Sequence, residues 1–108
     1  MYLKLKLHTI SRDGLYEASA VYEDGKVTVK KGSRINIRAG KGFKPSSEVK
    51  NKLNDTSSYG DDGVLIKDVE FTTLSTAASF VAGRTSNGML TWKTEDGKYV
   101  RDTLKKEN

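Results

Sequence analysis

The tetrapeptide Glu-Asp-Gly-Lys occurs twice in this chain, at 23–26 and again at 95–98. Asp-Gly supplies the positive-φ positions of a tight turn, so each copy predicts a β-hairpin. Strands joined this way are antiparallel neighbours, which argues against a parallel sheet with alternating helices. Four residues are too few to read as a repeat; the same turn is used twice.

The flanking segments carry the matching periodicity. In Tyr2 to Leu7, Leu3, Leu5 and Leu7 share one face and Lys4 and Lys6 the other, as in a half-buried strand. His8 follows on the polar side. Ser11-Arg12-Asp13-Gly14 reads as a turn. Leu15 to Tyr22 reads as a second strand, with Tyr16, Ala18, Ala20 and Tyr22 on one side. Beyond the first hairpin turn, Val27 and Val29 alternate with Lys26, Thr28 and Lys30. Past Gly32, Ile35 and Ile37 alternate with Arg34, Asn36 and Arg38. A three-residue loop at Lys31-Gly32-Ser33 pairs residue 30 with 34. It puts Lys26, Lys30, Arg34 and Arg38 together on a basic, exposed sheet face.

Ala39 to Pro45 is a flexible connection carrying Lys41 and Lys44. Ser46 or Ser47 caps a helix through about Leu53, with Val49 and Leu53 facing inward. Asn54 to Gly63 is polar and turn-rich, and is expected to be the most mobile loop. Val64 to Phe71 is a short strand or strand pair interrupted near Lys67-Asp68. Leu74 or Ser75 opens a second helix, with Ser75 the better cap, and Gly83 fits its left-handed stop. Met89 to Lys93 reads as a strand carrying the only tryptophan, Trp92, and Lys98 to Val100 as its partner. A charged helix from Asp102 ends the chain. The expected fold is α+β: one domain over residues 1–108, an antiparallel sheet of about five or six strands built from hairpins, and two main helices.

Composition narrows the function classes. The chain has no cysteine, so neither a disulfide framework nor a thiolate metal site is available. There is no long apolar run and no signal-peptide pattern, so the expected location is the cytoplasm, with no membrane contact. Net charge is +5, yet Lys26 to Lys44 holds seven basic residues and no acid. The remainder is therefore at about −2 by subtraction. A concentrated basic stretch suits a polyanion through counterion release, or is a solvated face.

Two blocks carry a family likeness. One is Tyr22-Glu-Asp-Gly-Lys-Val-Thr-Val-Lys-Lys-Gly-Ser33. The other runs from Leu74-Ser-Thr-Ala-Ala through Gly83-Arg-Thr-Ser-Asn-Gly88 to Trp92-Lys93 and Asp96-Gly97. Together they resemble an uncharacterised bacterial domain family found at the C-terminus of GIY-YIG-type nucleases. The second block is also similar to the RAMA domain, associated with restriction enzymes and adenine methylases and proposed to sense modified DNA. The likeness covers about Ala18 to Thr103. The family commonly has Asn-Gly-Trp where this chain has Asn87-Gly88-Met89, and Pro where Leu74 stands. The resemblance implies an accessory module for DNA, with a catalytic partner protein, in restriction or nuclease systems.

Candidate residues follow from both readings. Arg84, Ser86 and Asn87 sit between a helix stop and a strand, where they suit a phosphate or a base edge. Asn87-Gly88 equally serves as a turn, and Arg84 as a tie for the loop. Trp92 suits base stacking or the core. Phe43 and Tyr59 lie in polar loops, free to meet a ligand or to act as a packing lid. Gly40-Lys41-Gly42-Phe43-Lys44 lacks the Lys-Ser/Thr ending of a nucleotide loop but suits a flexible phosphate contact. His8 has no second histidine or cysteine to form a metal site or triad. Asp61, Asp62, Asp68 and Glu70 suit Mg²⁺, or turns. Asp96-Gly97-Lys98 echoes half a nuclease site but is a hairpin turn. No catalytic constellation and no cofactor motif is read. The expected function is non-catalytic binding of DNA or RNA through Lys26, Lys30, Lys31, Arg34, Arg38, Lys41, Lys44, Arg84, Ser86 and Asn87. The alternative is a protein-interaction or structural domain.

Overall fold

The computed structural model describes residues 4–11, 14–23, 25–37, 46–84 and 86–100. Arg38, the 39–45 connection with Lys41, Phe43 and Lys44, and the helix expected from Asp102 lie outside these. Five strands form one antiparallel sheet: β1 (Lys4–Ile10), β2 (Glu17–Glu23), β3 (Lys26–Val29), β4 (Val69–Phe71) and β5 (Lys93–Thr94). Their order is β4-β3-β2-β1-β5. Among the described residues two main helices, α1 (Ser47–Asn54) and α2 (Leu74–Ala82), accompany it, with a short helical turn, α3 (Gly88–Thr91). The α+β expectation holds.

Each strand's alternation decides its inner face. Leu7, Ala18, Ala20, Val27, Val29, Val69 and Phe71 are buried, while Lys4, Lys6, His8, Lys26 and Glu70 face solvent. α2 lies over the inner face, burying Ala77, Ala78, Phe80 and Val81. Its small residues let the helix approach the strands closely, and Phe80 meets Phe71 with ring centroids 5.0 Å apart. Val49 of α1 is buried too, as expected.

The chain does not reverse at Lys31-Gly32-Ser33. Lys30 N–H donates to Ser19 C=O, while Arg34 and Glu17 exchange both backbone bonds. One residue of β2 thus faces three of the other strand, a bulge of two extra residues. Ser33 holds it closed: its buried hydroxyl accepts the Ser19 N–H. The break in alternation that reads as a hairpin is this bulge. Past it the chain keeps its direction along β2, and Arg34 bridges Glu17 and Val64 rather than facing residue 30. Ile35 is buried, but Ile37 is 41% exposed. The second neighbour of β3 is β4.

Two further expectations are corrected. Thr73, not Ser75, caps α2: its hydroxyl accepts the Thr76 N–H. The Met89–Lys93 segment is not one strand. Gly88–Thr91 is helical, Trp92 N–H bonding back to Gly88 C=O, which leaves β5 only Lys93–Thr94. The loop after α1 is tied down rather than loose. A 3-10 turn at Thr56–Ser58 is capped by Asp55, and the Tyr59 hydroxyl donates to Leu53 C=O at 2.5 Å. Tyr59 therefore packs against the core and is not a free ligand contact.

Candidate nucleic-acid interface

The segment from α2 to β5 is stitched together by its own motif. Gly83 ends α2 at φ 71°, in the left-handed region a side chain avoids. Asn36 reaches across to donate from its amide to Ala82 C=O. Ser79 Oγ accepts the Ser86 N–H, and Ser75 Oγ accepts the Gly88 N–H. Gly88 packs so tightly on the start of α2 that a Cβ there would lie 2.2 Å from the Leu74 carbonyl carbon. Trp92 is fully buried, and its Nε1 donates to Leu74 C=O. Trp92 is therefore core and offers no face to a base.

Of the proposed contact residues in this loop, Ser86 turns its hydroxyl to Arg84 C=O, and Asn87 gives its carbonyl to the Thr91 hydroxyl. Arg84 differs. It is exposed, and among the described residues its guanidinium has no hydrogen bond and no ion pair.

Arg84 lines a cleft of about 730 Å³ at the end of β1. The cleft exists because β5 is so short. Among the described residues it pairs with Leu7 and His8 only, and no strand pairs with this edge of β1 beyond His8. Glu17, opposite Ile10, gives both backbone groups to Arg34. By antiparallel alternation the Ile10 N–H and C=O point the other way, toward the cleft. His8 and Lys93, paired across the two strands, stand beside Arg84 on its wall. Ser11, Thr91 and Asn36 add polar groups. No Asp or Glu among the described residues lines it. The apolar part is Ile10, Leu15 and Tyr99, which are 63%, 51% and 38% exposed. Lys93 Nζ sits 5.1 Å from the centre of the Tyr99 ring.

The basic segment stands elsewhere. Lys26 and Lys30 do face solvent on the open side of the sheet, but β4 and its approach bring acids to them. Lys30 pairs with Asp68 at 2.9 Å and Lys26 with Glu70 at 4.0 Å. The Lys30 ammonium and the Lys31 backbone N–H hold the Asp68 carboxyl below its usual range. Lys31 sits on the bulge, exposed. Arg34 donates its guanidinium to Gly14 C=O at 2.6 Å. None of these four lines the cleft, so the described part of the basic segment and the Arg84 loop do not converge there.

Sequence reasoning missed His8, Lys93, Tyr99, Ile10 and Leu15 as a group. One signal was present: the hairpin over 95–98 sets Lys93 opposite Tyr99. The rest depends on where β5 stops, which the strand reading of 89–93 concealed. The acidic candidates do not gather. Among the described residues no three His, Cys, Asp or Glu side chains form a cation site, and Asp62 instead accepts the Val64 N–H. Among the described residues no helix is long and apolar enough to cross a membrane.

No curated protein and no solved structure matches the chain. The family model of a domain of unknown function (DUF4357) matches residues 9–104. That span holds both hairpin turns, the bulge, α2 and the Arg84 loop, and the chain belongs to this family.

Proposed function

We propose that the protein is a non-catalytic accessory module that binds nucleic acid at the end of β1. In this reading it serves restriction or nuclease systems in the bacterial cytoplasm, with modified DNA among its ligands and a catalytic protein as its partner. The observation that carries the reading is Arg84. Its neighbours Ser86 and Asn87 hydrogen-bond within the loop, whereas among the described residues its guanidinium has no partner and the cleft it lines has no carboxylate. A planar fork of donors suits a phosphate bidentately. Lys93 and His8 beside it extend the same surface. A second reading, a protein-interaction domain, draws on the exposed Ile10, Leu15 and Tyr99, since clustered apolar side chains mark partner sites.

Fluorescence anisotropy over a salt series separates the two. The probes are labelled duplex DNA with and without N6-methyladenine, single-stranded DNA and RNA. The nucleic-acid reading expects saturable binding that weakens with salt. Arg84→Ala and Lys93→Ala should each lower the salt slope by about one, as for a lost phosphate contact. Lys30→Ala and Arg34→Ala should change it less, because those groups already have partners. Absence of binding to every probe at low salt would hand the site to a protein partner.

A further inference from the structure

We propose that the cleft holds one unpaired nucleotide, its phosphate on Arg84 and Lys93 and its base against Tyr99, Ile10 and Leu15. This rests on the nucleic-acid reading above and specifies its ligand. At about 730 Å³ the cleft has the capacity of a small-ligand site, not of a surface that receives a double helix. Its chemistry is divided in the way a nucleotide is. Arg84, without a partner for its guanidinium among the described residues, supplies the anion end. The Tyr99 ring and the exposed Ile10 and Leu15 side chains supply the apolar part of the lining. Lys93, on the same lining, carries its Nζ 5.1 Å from that ring, so a second cation lies next to the apolar part.

Pairing state decides what can use this wall. A stacked duplex hides its base faces and offers phosphates alone, which would leave Ile10, Leu15 and Tyr99 wet. An unpaired base brings a π-face to the ring and a hydrogen-bonding edge. The Ile10 N–H and C=O, without a strand partner among the described residues where β5 has ended, present one donor and one acceptor for that edge. The described part of the basic segment points the same way. A duplex-binding face needs a run of unpartnered cations, and Lys26, Lys30 and Arg34 are all engaged.

The test compares one labelled short strand as single-stranded DNA, the same sequence as RNA, and the same DNA strand in a blunt duplex. Either single strand, or both, should bind about tenfold tighter than the duplex. Tyr99→Ala and Ile10→Ser should each weaken single-strand binding about five- to tenfold, as for loss of a stacking contact, and leave duplex binding unchanged. Two variants are used because Tyr99 also bridges Lys93, whereas Ile10 is an exposed edge residue whose exchange spares the core. Thermal melting confirms that both are folded. Duplex binding equal to or tighter than single-strand binding overturns the proposal. So does wild-type affinity in both variants while Arg84→Ala still weakens binding. Either result leaves the nucleic-acid reading standing. No binding of any strand removes both.

Discussion

Gly88 shows how a single residue can be read correctly as important and for the wrong reason. In sequence, Asn87-Gly88 is a turn dipeptide, a matter of backbone freedom. In the fold the constraint is space: the Cα lies against the first turn of α2, with the Leu74 carbonyl and the Ser75 nitrogen both within 2.5 Å of any added Cβ. Backbone cannot yield as a side-chain tip can. Gly88→Ala should therefore destabilise the domain by about 3 kcal/mol or more, the upper range of overpacking, read as a fall in the urea midpoint. A midpoint within error of wild type would show that α2 and α3 are not in this contact. Trp92 was legible in both of its roles from sequence, and burial selects the core one. A lone indole whose N–H finds a carbonyl inside a small domain has no reason to be at the surface.

Among the elements, α2 was legible in extent, and its hydroxyls were not. Ser75 looks like a cap because serine favours that position, but Thr73, two residues earlier, has the extended backbone a cap requires. Ser75 is thereby released to hold the buried Gly88 N–H. The two substitutions should differ in kind. Thr73→Ala should cost about 1 kcal/mol, with faster amide exchange at Thr76. Ser75→Ala leaves a buried donor without an acceptor, costs about 1–3 kcal/mol, and should speed exchange at Gly88 instead. Equal protection at Gly88 in both variants would contradict the assignment. Strands were legible wherever alternation was unbroken, as in β1 and β2. The bulge after β3 defeated the reading because period two only records phase. Two surplus residues and a reversal leave similar traces around a glycine, and only the partner strand distinguishes them. The Arg84 loop was legible from its motif. The cleft was not, since it is made by the ending of β5 against β1, strands far apart in sequence.

At the scale of the whole molecule, acid response should be visible in stability. Hydrogen bonds from Ser57 and then Ser58 lower the Asp55 pKa from 3.8 to about 2. Asp68 is lowered by Lys30, and Asp96 by the Thr94 hydroxyl. Each carboxylate is thus a weaker base in the folded state, so the unfolded chain takes up more protons on acidification. For Asp55 the resulting contribution to stability is present above pH 3.8 and is lost as pH falls through about 2; those of Asp68 and Asp96 are lost in the same direction. Asp55→Asn should flatten the decline of the urea midpoint across that window, at the cost of a lower midpoint near neutrality. An unchanged pH profile would mean that the 3-10 turn does not depend on the ionised Asp55. The sheet's outline carries a last consequence. Its two outermost members, β4 and β5, have three and two residues. An open sheet recruits further chains through the length of backbone left unpaired along its margins. On β4 and β5 themselves a foreign strand finds three rungs and two, whereas among the described residues the β1 backbone that β5 leaves uncovered on either side of Leu7 and His8 is where the sheet stays open to an added strand.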